Sequence, residues 1–181
     1  SSTDLFNWKD EGLALTAIES MEQFENDPLI SKLYKDRTDK ADILNDIGTD
    51  RVIERTKVIY NEKTKKYVMW MHTDGPSETS TAMYAKAEAG YALSDSPTGP
   101  FIYQESNRMD RAPEDAEYNG QPNQPGMARD MNLFKDDDGT AYLIYSSEEN
   151  MTIYISKLNE SYTDVVGWHK DGNVERDTTY K

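Results

Sequence analysis

The sequence predicts an all-β protein built from repeated four-stranded antiparallel sheets and interrupted by a short helical insertion. Two observations support this class. Short runs of alternating residues, rich in Tyr, Trp and β-branched side chains, are separated by clusters of Gly, Pro, Asn and Asp. A series of four such runs occurs twice. The repeat is about 75 residues long because it includes long loops. Repeated four-stranded units are typical of β-propeller blades.

The first 50 residues precede the first of these sheets. Residues 8–15 alternate as a short strand does, and we assign residues 1–16 to the tail strand of a preceding blade. Residues 17–50 are polar and predict a helical insertion of two or three short helices. The apolar residues that recur there at near-helical spacing are Ile18, Met21, Phe24, Leu29, Ile30, Leu33, Ile43 and Leu44.

Residues 51–106 predict the first complete blade. The segments between its strands contain Gly, Pro, Ser, Thr and Asn, which favour turns and loops. Because short strands joined by turns pair with their neighbours in the chain, we expect an antiparallel order. The four strands are expected at residues 55–60, at 67–72, at 85–93 and from residue 101 onward.

Residues 128–175 repeat the pattern and predict a second blade. The Asp-Gly pair at its first hairpin suits a turn with positive φ. Residues 107–127, full of Pro, Gly, Asn and acids, predict an inter-blade loop, and residues 176–181 the start of the next segment. The strands of this blade are expected at residues 130–134, 141–145 and 151–155, with a fourth near 167–169.

The composition restricts the class of ligand. The chain has 34 Asp and Glu against 20 Lys and Arg, a net charge of −14 and a mean hydropathy of −0.87. No basic stripe is available for phosphates, so we predict no nucleic-acid partner and no binding to an anionic membrane surface. No apolar run is long enough to span a membrane, and the absence of Cys excludes disulfides. A neutral ligand such as a carbohydrate is compatible with this charge.

Five segments of the chain carry a family resemblance. They read STDLFNWKDEG (2–12), IERTKVIYN (53–61), KYVMWMH (66–72), ALSDSPTGPF (92–101) and RDMNLFKDDDGTAYLIYSS (129–147). Taken in this order they resemble glycoside hydrolase family 43, especially its exo-β-1,3-galactanase-like branch. The order of the segments is more specific than any one of them alone.

The resemblance implies a partial five-bladed β-propeller with its active site in a central funnel, and an extracellular or periplasmic location. The chain would supply about two full blades and the end of a preceding one. The implied activity is inverting hydrolysis of galactan or a related plant-type polysaccharide. The general-acid glutamate is expected just beyond Lys181 and the general base in the first blade, so we expect this fragment alone to be inactive.

Two acidic residues stand at the heads of inner strands. Glu54 precedes the first strand of one blade and Asp130 that of the next, and inner strands line the funnel of a propeller. Inverting hydrolysis uses two carboxyl groups roughly 6.5–9.5 Å apart. The resemblance implies that Asp130 orients the general acid and raises its pKa, and that Glu54 contacts the sugar. The alternative is that both residues cap strands or pair with Arg55 and Arg129.

Further candidates are aromatic or polar. Tyr84 lies six residues before Gly90, and the resemblance implies that it contacts sugar, for which aromatic faces are suited; the alternative is a loop or edge aromatic. Asn150 could hydrogen-bond a sugar hydroxyl, or be a plain turn residue. His72 and His169 are expected to be strand-surface or core residues rather than catalytic ones.

The acidic run at residues 136–139 lacks the spacing of a calcium-binding EF-hand loop, so we predict a hairpin turn there, no metal site and no cofactor. Thr56 replaces a proline usual in the family, and the 107–127 loop is longer than the family predicts. The substitution supports an alternative function, a non-catalytic carbohydrate-binding propeller. A scaffold or adhesin unrelated to sugars is a third hypothesis. Uncovered strand edges also predict strand-edge self-association.

Overall fold

The structure is a computed structural model that describes residues 1–109, 126–147 and 149–166, with the backbone of 169–170 and 173–174. It contains a four-stranded antiparallel sheet, a three-stranded one and a two-stranded pair. The helices are α1 (Gln23–Asn26), α2 (Pro28–Leu33) and α3 (Lys40–Ile47). The strands are β1 (Val52–Asn61), β2 (Lys66–Asp74), β3 (Glu88–Ser94), β4 (Ile102–Asn107), β5 (Met131–Lys135), β6 (Ala141–Ser147), β7 (Thr152–Lys157), β8 (His169–Lys170) and β9 (Asn173–Val174). The predicted all-β class with a short helical insertion is confirmed.

The first sheet has the order β1-β2-β3-β4, so each strand pairs with its neighbour in the chain. Its first hairpin closes on Asn61, whose Oδ1 accepts from the backbone N–H groups of Lys63 and Thr64, each at 2.9 Å. β2 is buried from Val68 to its end, because both of its faces are covered. Trp70 faces the second sheet and Met71 faces the helices.

The second sheet has the order β5-β6-β7 and packs one face against the first. β6 alternates between buried and partly exposed residues, with Leu143 and Tyr145 turned inward. Trp70 of the first sheet donates its indole N–H to the carbonyl of Tyr162 at 2.8 Å, which ties the sheets together. The predicted hairpin turn before β6 is present, with φ of +87° at Gly139.

The helical insertion covers the other face of the first sheet. Asp27 caps α2, because its Oδ1 accepts from the N–H groups of Leu29 and Ile30 at 2.8 and 2.9 Å. Ile30 and the apolar residues of α3 pack against Met69, Met71 and other residues of β2 and β4. The short helices are therefore stable as a covering layer and not as isolated elements.

The tail strand predicted for residues 1–16 is not formed. Polar side chains bond locally instead: Asp4 accepts from the N–H groups of Phe6 and Asn7 at 2.9 and 2.8 Å, which folds this segment into a turn. Leu5, Phe6, Trp8 and Leu13 are exposed. Only the end of the segment is fixed to the sheet, where the Ala14 carbonyl accepts from the N–H of Phe101 at 2.7 Å.

The fourth strand expected near residues 167–169 is not part of the described three-stranded sheet. Residues 167–168 lie outside the described residues, and β8 pairs with β9 rather than with β7. Of the predicted 107–127 loop, residues 110–125 lie outside the described part, but its ends meet in a bridge between Met109 and Gly126. The segment predicted at 176–181 is also outside it. Among the described helices, none has the length and apolar character to cross a membrane.

Candidate functional site

The first strands of the two sheets bring the two predicted carboxylates to one edge. β1 packs against β5, so Glu54 near the start of β1 and Asp130 just before β5 lie at the same end of the molecule. Arg55 spans the gap: its Nε and Nη2 donate to Oδ1 and Oδ2 of Asp130 at 2.8 and 3.1 Å. Such a two-point contact fixes the orientation of the carboxylate plane.

A β-bulge in β1 makes this contact possible. Glu54 pairs with His72, and the next regular pair joins Lys57 to Trp70, so two residues of β1 stand opposite one residue of β2. Arg55, in the bulge, has φ of +55°, a left-handed conformation that is strained for a residue with a long side chain. Thr56, the departure from the family pattern, is the other bulged residue.

Glu54 has two neighbours that could orient its carboxylate. The Tyr84 hydroxyl donates to Oε1 at 3.0 Å, and Nδ1 of His72 lies 3.6 Å from Oε2. The hydrogen bond to the Glu54 carboxylate, followed by its negative charge, raises the pKa of Tyr84. Tyr84 therefore stays a protonated hydrogen-bond donor in neutral solution, and its half-exposed ring is open to a ligand.

Asp74 is a buried carboxylate behind this pair. Its Oδ1 accepts from the backbone N–H groups of Gly75, Lys86 and Ala87, each at 2.9 Å, and its Oδ2 lies 2.8 Å from Nε2 of His72. Burial opposes ionisation, but the hydrogen bonds from His72 and the backbone outweigh it and lower the pKa of Asp74. These bonds fix both ends of the 75–87 loop that carries Tyr84.

Arg129 connects the loop to the second sheet. Its Nη2 donates to the Tyr84 carbonyl at 3.1 Å and approaches Glu149 Oε2 at 3.4 Å, while its Nη1 lies 3.6 Å from Asp74 Oδ2. Its guanidinium also stacks over the Tyr84 ring, 5.8 Å from the centroid. Of the alternative ion pairs, the one between Asp130 and Arg55 is present. Arg129 instead contacts the Tyr84 carbonyl and the Asp74 carboxylate.

Asn150 lies in the same groove as Asp130. The groove has a volume of about 540 Å³, and Arg55 and Ser146 also line it. The Ser146 hydroxyl donates to Oδ1 of Asn150 at 2.8 Å. Glu149 and Asn150 both have positive φ, at +55° and +65°, so Asn150 is a turn residue that also faces the groove.

Sequence reasoning named Arg55 and Arg129 only as alternative ion-pair partners of the two acids, and it missed His72 and Asp74 as members of this cluster. A signal was present for the last two, since His72 and Asp74 are two residues apart in a strand and so share a face. The described residues contain no group of three or more His, Asp or Glu placed to hold a metal ion. A recess of about 580 Å³ lies at the opposite end of β1, around Asn61 and Gly139. Its lining residues Lys63 and Glu160 pair with each other.

Comparison with solved structures relates this fold and cluster to known proteins. A glycoside hydrolase family 43 β-1,3-galactosidase with galactodeoxynojirimycin is 34% identical over 91% of this chain and 49% of its own, with a TM-score of 0.65. The exo-β-1,3-galactanase of Phanerochaete chrysosporium with galactose is 30% identical over 92% of this chain and 30% of its own, with a TM-score of 0.61. A second family 43 β-1,3-galactosidase is 32% identical over 91% and 27%, with a TM-score of 0.62.

No family model matches the sequence, and no curated protein matches it. The solved structures nevertheless define the class: the two sheets form part of a β-propeller of the glycoside hydrolase type. The predicted resemblance to glycoside hydrolase family 43, and to its β-1,3-galactanase-like branch, is confirmed in both sequence and fold. The chain spans about half the length of the first of these structures and less than a third of the other two.

Proposed function

We propose that the protein to which this chain belongs hydrolyses a β-1,3-linked galactan-type polysaccharide with inversion, and that this chain supplies sugar-binding and orienting groups. The observation that carries the proposal is the hydrogen-bonded cluster at the edge shared by β1 and β5, that is, where the start of β1 packs beside the start of β5 in the other sheet. There Glu54 and Tyr84 adjoin Arg55 and Asp130, in a fold shared with structures described as β-1,3-galactosidases and galactanases.

The proposed roles follow from the hydrogen-bonding capacity of each group. Glu54 accepts from Tyr84 through one oxygen, which leaves lone pairs on both oxygens for sugar hydroxyls. Tyr84 is half-exposed beside the Arg129 guanidinium, and we propose that the exposed part of its ring contacts a sugar. Asn150 carries an amide N–H₂ group at the groove and can donate to a hydroxyl.

We propose that Asp130 acts by raising the pKa of another carboxyl group, that of the general acid. A fixed carboxylate makes ionisation of a nearby acid less favourable, and so keeps that acid protonated for leaving-group departure. Arg55 fixes Asp130 but also compensates part of its charge. From the family resemblance we propose that the proton-donating glutamate lies on a different segment, so the 181-residue chain is expected to bind sugar without turning it over. Because the substrate is a polysaccharide, we also propose an extracellular or periplasmic location.

One observation favours a second function, a non-catalytic carbohydrate-binding propeller. Both oxygens of Asp130 are engaged by Arg55, a neutralising contact that suits a binding site more than an electrostatic role in catalysis. Hydrolysis of β-1,3-galactotriose by the full-length protein separates the two functions. Release of galactose that falls about 100-fold or more in Asp130→Asn supports the enzyme, whereas binding without release supports the alternative.

The sugar-binding claim is tested by calorimetric titration of this chain with β-1,3-galactobiose, with xylobiose as the comparison ligand. We expect galactobiose to bind and Glu54→Gln to weaken it about 10-fold, because a hydrogen bond to a charged group is lost. Glu62→Gln is the matched control, since Glu62 pairs with Lys135 away from the cluster. Failure of galactobiose to bind, or equal affinity for the Glu54→Gln variant, would overturn the proposal.

A further inference from the structure

Tyr84 lies at the end of an exposed stretch of the 75–87 loop. Residues 78–84 are all exposed, and the bridge between Ser77 and Ser80 closes a turn earlier in the loop. Exposed residues make few packing contacts, so they restrain a loop only weakly. The position of the Tyr84 ring therefore depends on the polar groups that bind the loop near it.

Two guanidinium groups bind three successive carbonyls at the end of this loop. Arg108 donates through Nε to the carbonyl of Lys86 at 2.9 Å and through Nη2 to that of Ala85 at 3.1 Å. Arg129 donates through Nη2 to the carbonyl of Tyr84 itself at 3.1 Å. Arg129 is thus the group that binds the backbone of the residue whose ring is proposed to contact sugar.

Arg129 is itself firmly held. Its side chain is 10% exposed, and its Nη1 lies 3.6 Å from the buried carboxylate of Asp74. Its backbone N–H donates to the carbonyl of Ser146 in β6 at 2.9 Å. A planar guanidinium has its donors in fixed directions, so a held guanidinium orients the groups that it contacts. Its central carbon lies 5.8 Å from the centroid of the Tyr84 ring, so Arg129 contacts both the backbone and the side chain of Tyr84.

The residue after Arg129 is Asp130, whose two carboxylate oxygens accept from Arg55. Two neighbouring residues before β5 therefore contact the two parts of the cluster. Arg129 binds the loop that carries Tyr84, and Asp130 binds the first strand of the same sheet. This segment fixes where Tyr84 lies relative to Asp130.

We propose that Arg129 is a positioning residue for Tyr84, which holds the Tyr84 ring where it meets the sugar. This inference rests on the proposed sugar contact of Tyr84. Because Arg129 orders the end of the loop before the sugar arrives, binding loses no free energy in ordering it. Without the guanidinium the exposed stretch takes several positions, and the Tyr84 hydroxyl spends part of its time away from Glu54.

A double-mutant cycle tests whether Arg129 acts through Tyr84. The variant Arg129→Lys keeps a positive charge beside Asp74 but cannot make the same fork of contacts. Calorimetric titration with β-1,3-galactobiose should show about a fivefold loss of affinity, the factor that one hydrogen bond supplies. In the Tyr84→Ala background the same change should lower affinity less than about twofold, because the group that Arg129 positions is gone. Equal losses in both backgrounds would overturn the proposal.

Arg37→Lys is the matched control. Arg37 is also a partly buried guanidinium that pairs with an aspartate, Asp39, and donates to a backbone carbonyl, that of Tyr103 at 3.0 Å, but it lies in the helical insertion. Urea denaturation should show a similar loss of stability in the two lysine variants, whereas only Arg129→Lys should weaken galactobiose binding. A parallel loss of affinity in Arg37→Lys would show that lowered stability, and not the position of Tyr84, explains the effect.

NMR measurements without sugar separate this proposal from the proposed function. In the unmodified chain, nuclear Overhauser effects should join the Arg129 guanidinium protons to the Tyr84 ring, and their absence overturns the proposal whether or not a variant folds. Nitrogen-15 relaxation should show the backbone of residues 78–84 more flexible in Arg129→Lys and unchanged in Arg37→Lys. Unchanged order in Arg129→Lys refutes the positioning role even where sugar binds. Increased flexibility in a chain that binds no galactobiose refutes only the proposed function.

Discussion

Arg55 and Asp130, 75 residues apart in the chain, form a two-point ion pair across the two sheets. Both side chains are 57% exposed, so the pair contributes at most about 1 kcal/mol to stability. Arg55 nevertheless adopts a left-handed backbone conformation in a bulge to make it. A strained residue that gives little stability in return supports the proposal that Arg55 positions Asp130.

The first prediction concerns this pair. Arg55→Asn keeps a residue that tolerates positive φ but removes the guanidinium. Its free energy of unfolding, measured by urea denaturation, should change by less than about 1 kcal/mol. The turnover of the full-length protein should fall about 10-fold because Asp130 loses its orientation. Lys63→Asn removes another exposed pair at the opposite end and is the control; equal losses in both variants would contradict the positioning role.

The second prediction concerns the carboxylate behind the cluster. Asp74→Ala leaves three backbone N–H groups and His72 without an acceptor, so the free energy of unfolding should fall by about 3 kcal/mol or more. Asp95→Ala removes an exposed partner of Lys66 and should change it by less than about 1 kcal/mol. Urea denaturation checks both; a small effect at Asp74 would show that the loop is held by other contacts.

The third prediction follows from the lowered pKa of Asp74. A carboxyl group whose pKa is lower in the folded state contributes stability above its unfolded pKa, about 3.9, and loses it as pH falls through the folded value. The difference in melting temperature between the unmodified chain and Asp74→Asn should therefore be full above about pH 4 and shrink below it. A difference that grows on acidification would have the wrong sign for this account.

The fourth prediction concerns the face of the second sheet that is turned away from the first. Met151, Ile153 and Ile155 are exposed there, and exposed apolar strands favour pairing with another chain. Sedimentation velocity should show concentration-dependent self-association of the chain, reduced in Ile153→Lys. Leu13→Lys, at an exposed apolar residue of the N-terminal segment, is the control. A monomer at all concentrations would refute the prediction.

The elements that could be predicted from sequence are those with strong local signals. The hairpin from Tyr67 back to Tyr60 and the turn at Gly139 follow from alternation and turn chemistry. Residues 8–15 alternate as well, yet form no strand, because they pair with none of the described strands and the Asp10 side chain accepts locally from the Gly12 N–H. An alternating sequence shows that a segment can pair as a strand, but not that a partner strand is present.

The candidate site was predicted in part. Glu54, Asp130, Tyr84 and Asn150 lie at one end of the two sheets, while their roles in catalysis and binding remain predictions. Pairing with Arg55 and a core position for His72 were among the alternatives, but the bulged geometry of the Arg55–Asp130 contact and the position of His72 between Glu54 and Asp74 could not be predicted from sequence. Both depend on a bulge and on the packing of β1 against β5, which are tertiary features without a local signature.

The central claim is that the edge shared by β1 and β5 binds a galactan-type sugar. It is tested most directly by NMR chemical-shift mapping of the labelled chain with β-1,3-galactobiose. The account predicts shifts at Glu54, Tyr84 and Asn150, and none around Asn61 and Gly139 at the opposite recess. Shifts confined to the opposite recess, or none anywhere at saturating sugar, would contradict it.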